Sequence, residues 1–438
     1  MTNFSDETTR AVDAFTMRAG HGILLIALAL LVFGVVMVNS AGLTVRPDAA
    51  LLTSGTVSEA QFDKMSAAYR PVSFDNVLLG RTTILAAVAM LALFVGSRVP
   101  VERLYGLRGA LSPVPWIVFG MIGLLLLVHV PGIGREVNHA ARWIGPRQYG
   151  FQPSEFAKWG ILFVIAWYCC RRAGVMQSFL HGFVPPMVLL AVVTALIAKE
   201  DLGTAVLIFS VCTLMLVAGG ARWWHAAALL PLGALAAWGA VLASPYRMNR
   251  LLAWQNPFED PQGIGYHIIQ SMSAIAGGGL TGRGLGNSMQ KFGYLPEDTT
   301  DFIYAIVCEE LGIIGGLAVL LLYAGLLHFG LRIINRSRVR ADGTVESLVS
   351  PFAQLFGLGI LLTIGLQALI NLAVVSGLAP TKGIALPLLS SGGSGWVLTG
   401  FSLGLLLSIE RTSVARERGS PARPPMRDDA VLLLPAAS

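Results

Sequence analysis

One carboxylate stands where the chain changes from polar to apolar. Asp301 ends the run LPEDTTD and comes directly before a long apolar stretch that begins at Phe302. At the start of a helix, an aspartate accepts hydrogen bonds from free backbone N–H groups and stabilises the helix by about 1 kcal/mol. Beside a wet cavity, the same carboxylate can act as a general base. Spacing alone favours the capping role.

A second pair of charges lies in the segment QPSEFAK. Glu155 and Lys158 are three residues apart, so a helix places them on one face, where they can pair. Polar groups at membrane depth are expensive and therefore mark functional candidates. Two interpretations remain open: a structural ion pair that neutralises itself inside a helical bundle, or a lysine that contacts an anionic substrate.

Three charges also meet in a tight turn between two apolar runs, at Lys199, Glu200 and Asp201. Asp201 directly precedes the run LGTAVL, where the N-cap of a helix is expected. The spacing therefore predicts a capping role for Asp201.

The segment 245–301 is the richest in polar residues. Arg247 and Arg250 lie near its start, and apolar residues at helical spacing predict an amphipathic helix over 264–276 at the membrane interface. A glycine-rich run over 277–286 follows. Such a run either lets the backbone approach a phosphate closely or forms a flexible re-entrant turn.

Polar residues also interrupt the later apolar runs. Glu309 and Glu310 lie two turns beyond Asp301, so at least one of them is expected to face the bundle interior or water. The segment PTKG (380–383) precedes LPLLSSGGSG (386–395). This broken, glycine-rich start of the last apolar run is tolerated only beside protein or a wet cavity.

The elements that must position these residues are membrane spans. Of the 438 residues, 54% are hydrophobic and only 13% are charged, with a mean hydropathy of +0.67. Soluble domains carry about 25% charged residues, so a soluble globular protein is excluded. The net charge of +6 then reflects the loops of a membrane protein, and we expect no nucleic acid partner. The four cysteines lie in apolar runs without metal-type spacing, which predicts packing roles.

Ten apolar runs approach or exceed the roughly 20 residues that a bilayer core requires. They lie near 21–40, 82–97, 113–130, 154–170, 179–198, 202–219, 225–244, 302–330, 351–377 and 393–409. The predicted fold class is therefore an all-α polytopic membrane protein with about ten transmembrane helices.

The distribution of charge predicts the orientation. With a cytoplasmic N-terminus, the inner segments hold 17 of the 31 basic residues and ten of the 25 acidic ones, and basic residues on short loops stay in the cytoplasm. Both termini are thus predicted inside, with a cytoplasmic segment 1–20, a membrane domain over 21–410 and a disordered tail over 411–438. Long outer loops are predicted at 41–81 and, between spans seven and eight, at 245–301.

Five ordered motifs in the second half of the chain resemble the FtsW/RodA family, also called the SEDS family. They are QPSEFAK (152–158), DLGT (201–204), the 254–286 block that leads into GRGLGNS, LPEDTTDFIYAIVCEELG (295–312) and NLAVVSGLAPTKGIALPLLSSGGS (371–394). Their order and topological positions make the resemblance specific. The layout of ten spans with both termini inside agrees with that family.

The resemblance implies a peptidoglycan glycosyltransferase that polymerises lipid II outside the bacterial cytoplasmic membrane. It joins the anomeric carbon of the donor to the 4-hydroxyl of an acceptor sugar and releases undecaprenyl pyrophosphate. The candidate catalytic aspartate of the family corresponds to Asp301, which reverses the preference from capping to catalysis. Glu155 and Lys158 correspond to the polar pair of the family's fourth span.

Further substrate contacts are expected from the family motifs and from our own assignment of cations that could meet pyrophosphate or sugar. They are Arg247, Arg250, Gln270, Ser271, Arg283, Lys291, Glu297, Lys382, Ser390 and Ser391. The sequence departs from the family at Thr299, where His is usual, and this change removes a partner beside the proposed base.

The resemblance also implies partners. PTKG and the following LPLLS favour the division-type FtsW branch over the elongation-type RodA branch. The expected partners are a class B penicillin-binding protein with transpeptidase activity and membrane proteins of the divisome, at the septum. No cofactor is implied with certainty, and a divalent cation remains open.

Two other functions compete with the enzyme: a lipid II flippase, and a non-catalytic divisome scaffold that recruits a transpeptidase. A flippase should carry charged residues through the whole membrane depth to pass a polar head group. Here the charges within the spans cluster toward one side, which favours an outward-facing enzyme.

Overall fold

A computed structural model describes residues 18–41, 77, 79–137, 140–146, 150–290, 299–339 and 344–417. Nearly all of the predicted outer loop 41–81 lies outside the described residues, as do Lys291, Glu297 and the tail from 418 onward.

The described residues form thirteen helices of at least six residues and two small antiparallel strand pairs. The helices are α1 (Ala19–Ala41), α2 (Arg81–Arg98), α3 (Val101–Gly106), α4 (Pro113–Leu127), α5 (Pro153–Arg171), α6 (Val184–Ala198), α7 (Leu202–Ala218), α8 (Trp223–Leu242), α9 (Pro245–Gln255), α10 (Tyr266–Gly278), α11 (Ile303–Ile334), α12 (Pro351–Val375) and α13 (Gly393–Glu417). The strand pairs are β1 (Gly134–Val137) with β2 (Ala140–Ile144), and β3 (Ser337–Val339) with β4 (Val345–Ser347).

Ten of these helices match the ten predicted spans in order, namely α1, α2, α4 to α8 and α11 to α13. By length and composition, seven of the described helices can cross a membrane, with α6 counted together with the π-helical turn Phe179–Phe183. The helices α4 and α7 are shorter apolar helices, and α5 begins with the polar segment that contains Glu155 and Lys158. The prediction of an all-α polytopic membrane protein is confirmed.

Small residues bring α2 and α13 into direct backbone contact. A Cβ at Gly404 would lie 2.2 Å from the Leu93 carbonyl oxygen, and one at Gly400 would lie 2.4 Å from the Ala89 carbonyl oxygen. Lipid is as apolar as leucine, so membrane helices associate through such close packing rather than through the hydrophobic effect. The last span is thereby fixed against the second.

The segments that the charge distribution assigns to the inside meet at one end of the bundle. Arg416 pairs with Glu102, and Arg336 pairs with Glu417. These pairs lie in the last turns of α13, which continues to Glu417 and thus beyond the predicted boundary at 410.

The glycine-rich run 277–286 packs into a break in α11. Gly312 has φ 68° and ψ −167°, which interrupts the helix, and Ile313 N–H donates to the Gly279 carbonyl at 3.0 Å. A Cβ at Gly282 would lie 2.2 Å from a backbone carbonyl oxygen of α11. The glycines contact the backbone of a neighbouring helix, and the two interpretations of the run, close approach to a phosphate and a re-entrant turn, both stay predictions.

Both glutamates that follow Asp301 in the eighth span are buried. Ser40 Oγ donates to the Glu310 carboxylate at 2.7 Å, and Met289 N–H donates to the Glu309 carboxylate at 3.0 Å. The prediction that at least one of them faces the interior is confirmed for both. They attach the end of α1 and the segment after the glycine run to α11.

Candidate functional site

A cavity of about 850 Å³ lies at the end of the bundle that is predicted to face outward. Its walls come from the first turns of α5 and α7, the last turns of α8, α9, the residues before α11 and the segment 380–385 after α12. In a bundle of alternating helices, these ends all belong to one side of the membrane. The polar and charged side chains that line it include Arg142, Gln152, Glu155, Lys158, Lys199, Glu200, Asp201, Arg247, Arg250, Asp301, Gln367, Lys382 and Ser391.

Asp301 lines this cavity and directly precedes the N-cap residue of the eighth span. The helix α11 begins at Ile303, and its N-cap residue Phe302 makes no side-chain capping hydrogen bond. The Asp301 carboxylate lies against the segment 380–385, since a Cβ at Gly383 would be 3.0 Å from Asp301 Oδ2. Asp301 therefore does not occupy the N-cap position that spacing favoured, and the residue lines the cavity.

The ion pair expected in the fourth span is formed. Lys158 Nζ lies 2.8 Å from the Glu155 carboxylate and donates to Gln367 Oε1 at 2.9 Å. The lysine side chain is only 2% exposed, whereas that of Glu155 is 14% exposed. A buried charge is stable only when it is paired and hydrogen-bonded. The predicted pair is thus formed, and because both of its members also line the cavity, a substrate contact of Lys158 stays a prediction.

The charged turn before α7 has two roles. Asp201 accepts hydrogen bonds from Thr204 N at 3.0 Å and from Thr204 Oγ1 at 2.9 Å, which confirms its predicted N-cap role. Glu200 accepts the Ala141 N–H at 2.9 Å, and its carbonyl accepts from the guanidinium of Arg142. The turn therefore anchors the β1–β2 hairpin beside the cavity.

Lys382 lies in the loop between α12 and α13, opposite this turn. Burial lowers the pKa of the Lys382 ammonium group below its ordinary value, and the negative charge of Asp201 partly opposes that shift. A lysine with a lowered pKa at a cavity wall is a candidate for binding an anion whose charge grows during a reaction.

The two arginines of α9 also reach the cavity. Arg247 donates to the carbonyls of Ala198, Lys199 and Ala240 at 2.7, 2.9 and 3.1 Å, so much of its donor capacity joins α6 and α8 to α9. Arg250 donates to the Thr381 carbonyl at 3.3 Å. It also stacks on the Tyr246 ring, with 4.4 Å between the guanidinium carbon and the ring centroid. Arg250 is thus the better placed of the two to bind an anion.

Four residues predicted to contact substrate lie away from the cavity lining. Ser271 is buried and donates to the Val375 carbonyl at 2.7 Å, and Ser390 is buried and accepts the Leu386 N–H at 2.8 Å. Arg283 lies 3.5 Å from Glu309, and Gln270 is on α10. The two serines and Arg283 hold the structure that surrounds the site. Lys291 and Glu297 fall outside the described residues.

Sequence reasoning missed three polar residues at or beside the site. Arg142 lines the cavity from β2, and Gln367 lines it from α12. Asn371, one turn beyond Gln367, donates to the Asp301 carbonyl at 2.8 Å. The two amides could have been found, because uncharged polar residues four apart in an apolar span are also expensive in lipid.

The arrangement suits acid–base and anion chemistry. A carboxylate, Asp301, shares the cavity with the cations of Arg250 and Lys382. In the part of the chain that the structure describes, no group of three or more His, Cys, Asp or Glu side chains is arranged to hold a metal ion.

The fold and the site define a multi-pass membrane protein with a charged cavity at one end of an apolar helical bundle. The profile of the FtsW/RodA/SpoVE family of cell cycle proteins matches residues 21–415, and the chain belongs to this family. The family resemblance predicted from the motifs is confirmed.

Relatives and solved structures agree with this assignment. The chain is 41% identical to stage V sporulation protein E of Bacillus subtilis (strain 168) over 293 residues. The aligned region covers 66% of this chain and 76% of that protein. It is 36% identical over 402 residues to the probable peptidoglycan glycosyltransferase FtsW of Geobacter metallireducens, with 91% and 95% of the two chains covered.

Among solved structures, a chain of a peptidoglycan synthase complex that coordinates polymerization and crosslinking is similar, with a TM-score of 0.65 and 26% identity over 90% of this chain and 98% of that one. The rod shape determining protein RodA of Thermus thermophilus has a TM-score of 0.55 and 23% identity over 89% and 96% of the two chains, which shows the shared fold.

Proposed function

We propose that this protein is a peptidoglycan glycosyltransferase that polymerises lipid II on the outer face of the bacterial cytoplasmic membrane. The observation that carries the proposal is the position of Asp301, which lines the charged cavity and lies against the segment that contains Lys382. The names of the FtsW relatives and of the synthase complex support the same activity.

In the proposed reaction, the carboxylate of Asp301 accepts the proton of the acceptor sugar's 4-hydroxyl. The hydroxyl oxygen forms a bond to the anomeric carbon of the donor, and the bond from that carbon to the pyrophosphate oxygen breaks. Undecaprenyl pyrophosphate leaves with the bonding electron pair. A positioned base contributes about 10²–10⁴-fold to such a reaction. The cations of Arg250 and Lys382 would stabilise the charge that grows on the departing pyrophosphate.

One wall of the cavity suits a lipid-linked substrate. Ala234, Ala237, Trp238 and Val241 of α8 line the cavity, and no residue of α8 is buried inside the protein. A helix that is apolar on all sides and not covered by protein faces lipid in a bilayer. A substrate could therefore keep its polyprenyl chain in the membrane while its head group enters the cavity.

The cellular role that we propose is FtsW-like, in cell division at the septum of the inner membrane. The relatives named FtsW support this branch over the RodA branch. The similar synthase complex supports a transpeptidase partner, which for this chain would be a class B penicillin-binding protein with other divisome membrane proteins. The charged cavity at a single end favours the polymerase over a flippase, which requires polar groups through the full membrane depth.

The direct test is polymerisation of purified lipid II by the Asp301→Asn variant in the presence of a class B transpeptidase. Asparagine has nearly the size of aspartate but cannot act as a comparable base. We expect normal insertion, near-normal thermal stability and retained partner binding, with polymerisation reduced at least about a hundredfold. The matched control is Glu259→Gln, since Glu259 is an exposed acid of the same outer segment that does not line the cavity.

Two results would contradict the proposal. If wild-type protein with its partner forms no glycan chains from lipid II, the activity is not a polymerase. If the Asp301→Asn protein polymerises at more than about a third of the wild-type rate, the carboxylate is not the base, because a base contributes at least about a hundredfold.

A further inference from the structure

A single amide group joins the candidate base to the opposite wall of the site. Asn371 lies on α12 and is 1% exposed. Its Nδ2 donates to the Asp301 carbonyl at 2.8 Å and to the Ile384 carbonyl at 2.7 Å. An amide NH₂ has two hydrogens, and both are used here on two segments that are far apart in the chain.

The orientation of this amide follows from its partners. Two backbone carbonyls accept only from N–H or O–H groups, so a rotated amide would place Oδ1 against both carbonyl oxygens. Oδ1 itself has no hydrogen-bond partner among the described residues. A buried acceptor without a partner costs roughly 1–3 kcal/mol. The protein therefore keeps a polar group here at some cost in stability.

The neighbouring amide on α12 shows what is particular to Asn371. Gln367, one helical turn earlier, donates from Nε2 to the Ala385 carbonyl at 2.8 Å. The two amides thus hold consecutive peptide groups of the segment 380–385. Only Asn371 of the two also contacts Asp301.

The anchored part of the chain has no regular structure of its own. Residues 299–302 form a turn before α11 begins at Ile303, and the segment 380–385 is irregular. Asp301 lies outside the helices and strands, and the Asn371 amide is one of the contacts that hold its backbone in place. The Asp301 carboxylate lies directly against this segment at Gly383.

We propose that Asn371 is a positioning residue for the polymerisation reaction. By holding the Asp301 backbone to the Ile384 backbone, it fixes the carboxylate relative to the segment that contains Lys382. This inference rests on the proposed function of Asp301. It adds that catalytic geometry depends on one buried amide that contacts no substrate. A displacement of about 1 Å at a catalytic group can cost about a hundredfold in rate.

The test compares Asn371→Leu with Thr363→Val in steady-state polymerisation of lipid II by the full-length protein with its transpeptidase. Leucine has a shape close to that of asparagine but has no N–H group. Thr363 is the matched control: it lies on the same helix, is 1% exposed, and donates within α12 to the Gly359 carbonyl at 2.8 Å. Thermal stability in detergent is measured for each variant, and Asp301→Asn is measured beside them.

We expect Asn371→Leu to lower kcat at least about tenfold. A displacement of about 1 Å costs about a hundredfold, and a smaller displacement of the carboxylate costs less. The KM for lipid II should stay within about twofold of wild type, because the base is displaced while the binding cations remain. Thr363→Val should keep both constants. A smaller amount of active protein would also lower the apparent kcat at the same KM, so each rate is divided by the concentration of protein that binds lipid II. A merely structural role would leave kcat per binding-competent protein unchanged.

Unchanged kcat in Asn371→Leu, with Asp301→Asn inactive, would overturn the positioning role and leave the base assignment intact. Loss of kcat in Asn371→Leu with an active Asp301→Asn protein would overturn the link between the two residues and the base assignment with it. If the leucine variant does not fold, Asn371→Ala decides by the same criteria. The space left by the smaller residue can admit a water that satisfies the two carbonyls.

Discussion

Lys158 on α5 and Gln367 on α12 are joined by a 2.9 Å hydrogen bond from the ammonium group to the amide oxygen. Gln367 also donates to the Ala385 carbonyl, so the contact continues into the segment 380–385. The fourth and ninth spans are thus connected through the buried lysine beside the cavity.

Replacing this lysine should destabilise the protein. Lys158→Met leaves Glu155 without its cation in a largely buried position, and breaking such a pair costs about 3–5 kcal/mol. We expect a lower thermal unfolding temperature in detergent and a lower yield, both restored in the double variant Lys158→Met/Glu155→Gln. If the double variant is stable but binds lipid II weakly, Lys158 also contacts substrate. Normal yield and normal lipid II binding in Lys158→Met would contradict both roles.

The lowered pKa of Lys382 predicts the pH dependence of polymerisation. Lysine is charged below its pKa, so a required ammonium group loses its charge at a lower pH than an ordinary lysine would. Lys382→Arg keeps the charge at all accessible pH values, because the guanidinium pKa exceeds about 12. We expect the alkaline fall in the pH–rate profile to move to higher pH in this variant. A profile that falls at the same pH in both proteins would show that another group sets it.

Removal of the Asp201 charge should move the alkaline fall in the pH–rate profile to lower pH. Asp201→Asn retains a side-chain oxygen for the N-cap of α7, and asparagine is nearly as good a cap as aspartate. It removes the negative charge that raises the pKa of Lys382. The alkaline fall should therefore move to lower pH, with the thermal stability nearly unchanged. A shift to higher pH would contradict the electrostatic role of Asp201.

The contact between Gly383 and Asp301 predicts a defect in activity without a defect in folding. The Cβ of Gly383→Ala would lie 3.0 Å from Asp301 Oδ2, so the carboxylate must rotate or shift. We expect polymerisation to fall roughly tenfold or more, in line with the cost of a misplaced catalytic group. Gly393→Ala is the control, since its Cβ would meet nothing closer than 3.9 Å. Equal activity in the two variants would show that the carboxylate needs no fixed position.

The break in α11 predicts a defect in stability. Gly312 has φ 68° and ψ −167°, a region that is essentially restricted to glycine and costs other residues about 1–3 kcal/mol. The Cβ of Gly312→Ala would also lie 2.3 Å from the Leu280 carbonyl oxygen. We expect a clearly lower thermal unfolding temperature, whereas Gly239→Ala on α8 meets nothing within 4 Å and should be neutral. An unchanged unfolding temperature in Gly312→Ala would show that the glycine run does not hold the break in place.

The number and order of the spans could be predicted because hydrophobicity and charge are local properties of the chain. The hydrophobicity of each apolar run predicts a membrane span without reference to the rest of the chain, and the basic residues of each loop predict its side of the membrane. The predictions for Asp201, for the pair of Glu155 with Lys158 and for the buried glutamates succeeded for a similar reason, since capping and helical faces depend on spacing along a few residues. The ordered motifs were sufficient to identify the family.

Only the tertiary structure decided which polar atoms meet across helices. The sequence could not show that Ser271 and Ser390 bind the backbone, that the glycine run fills a break in α11, or that Arg247 joins three helices. Nor could it show that Asn371 reaches Asp301, 70 residues away. These contacts depend on the rotation and depth of each helix in the bundle, which are set by packing at many small residues at once. The sequence pattern of one helix shows which of its faces is apolar and which is polar. Which neighbouring helix packs against each face is decided only when the whole bundle assembles.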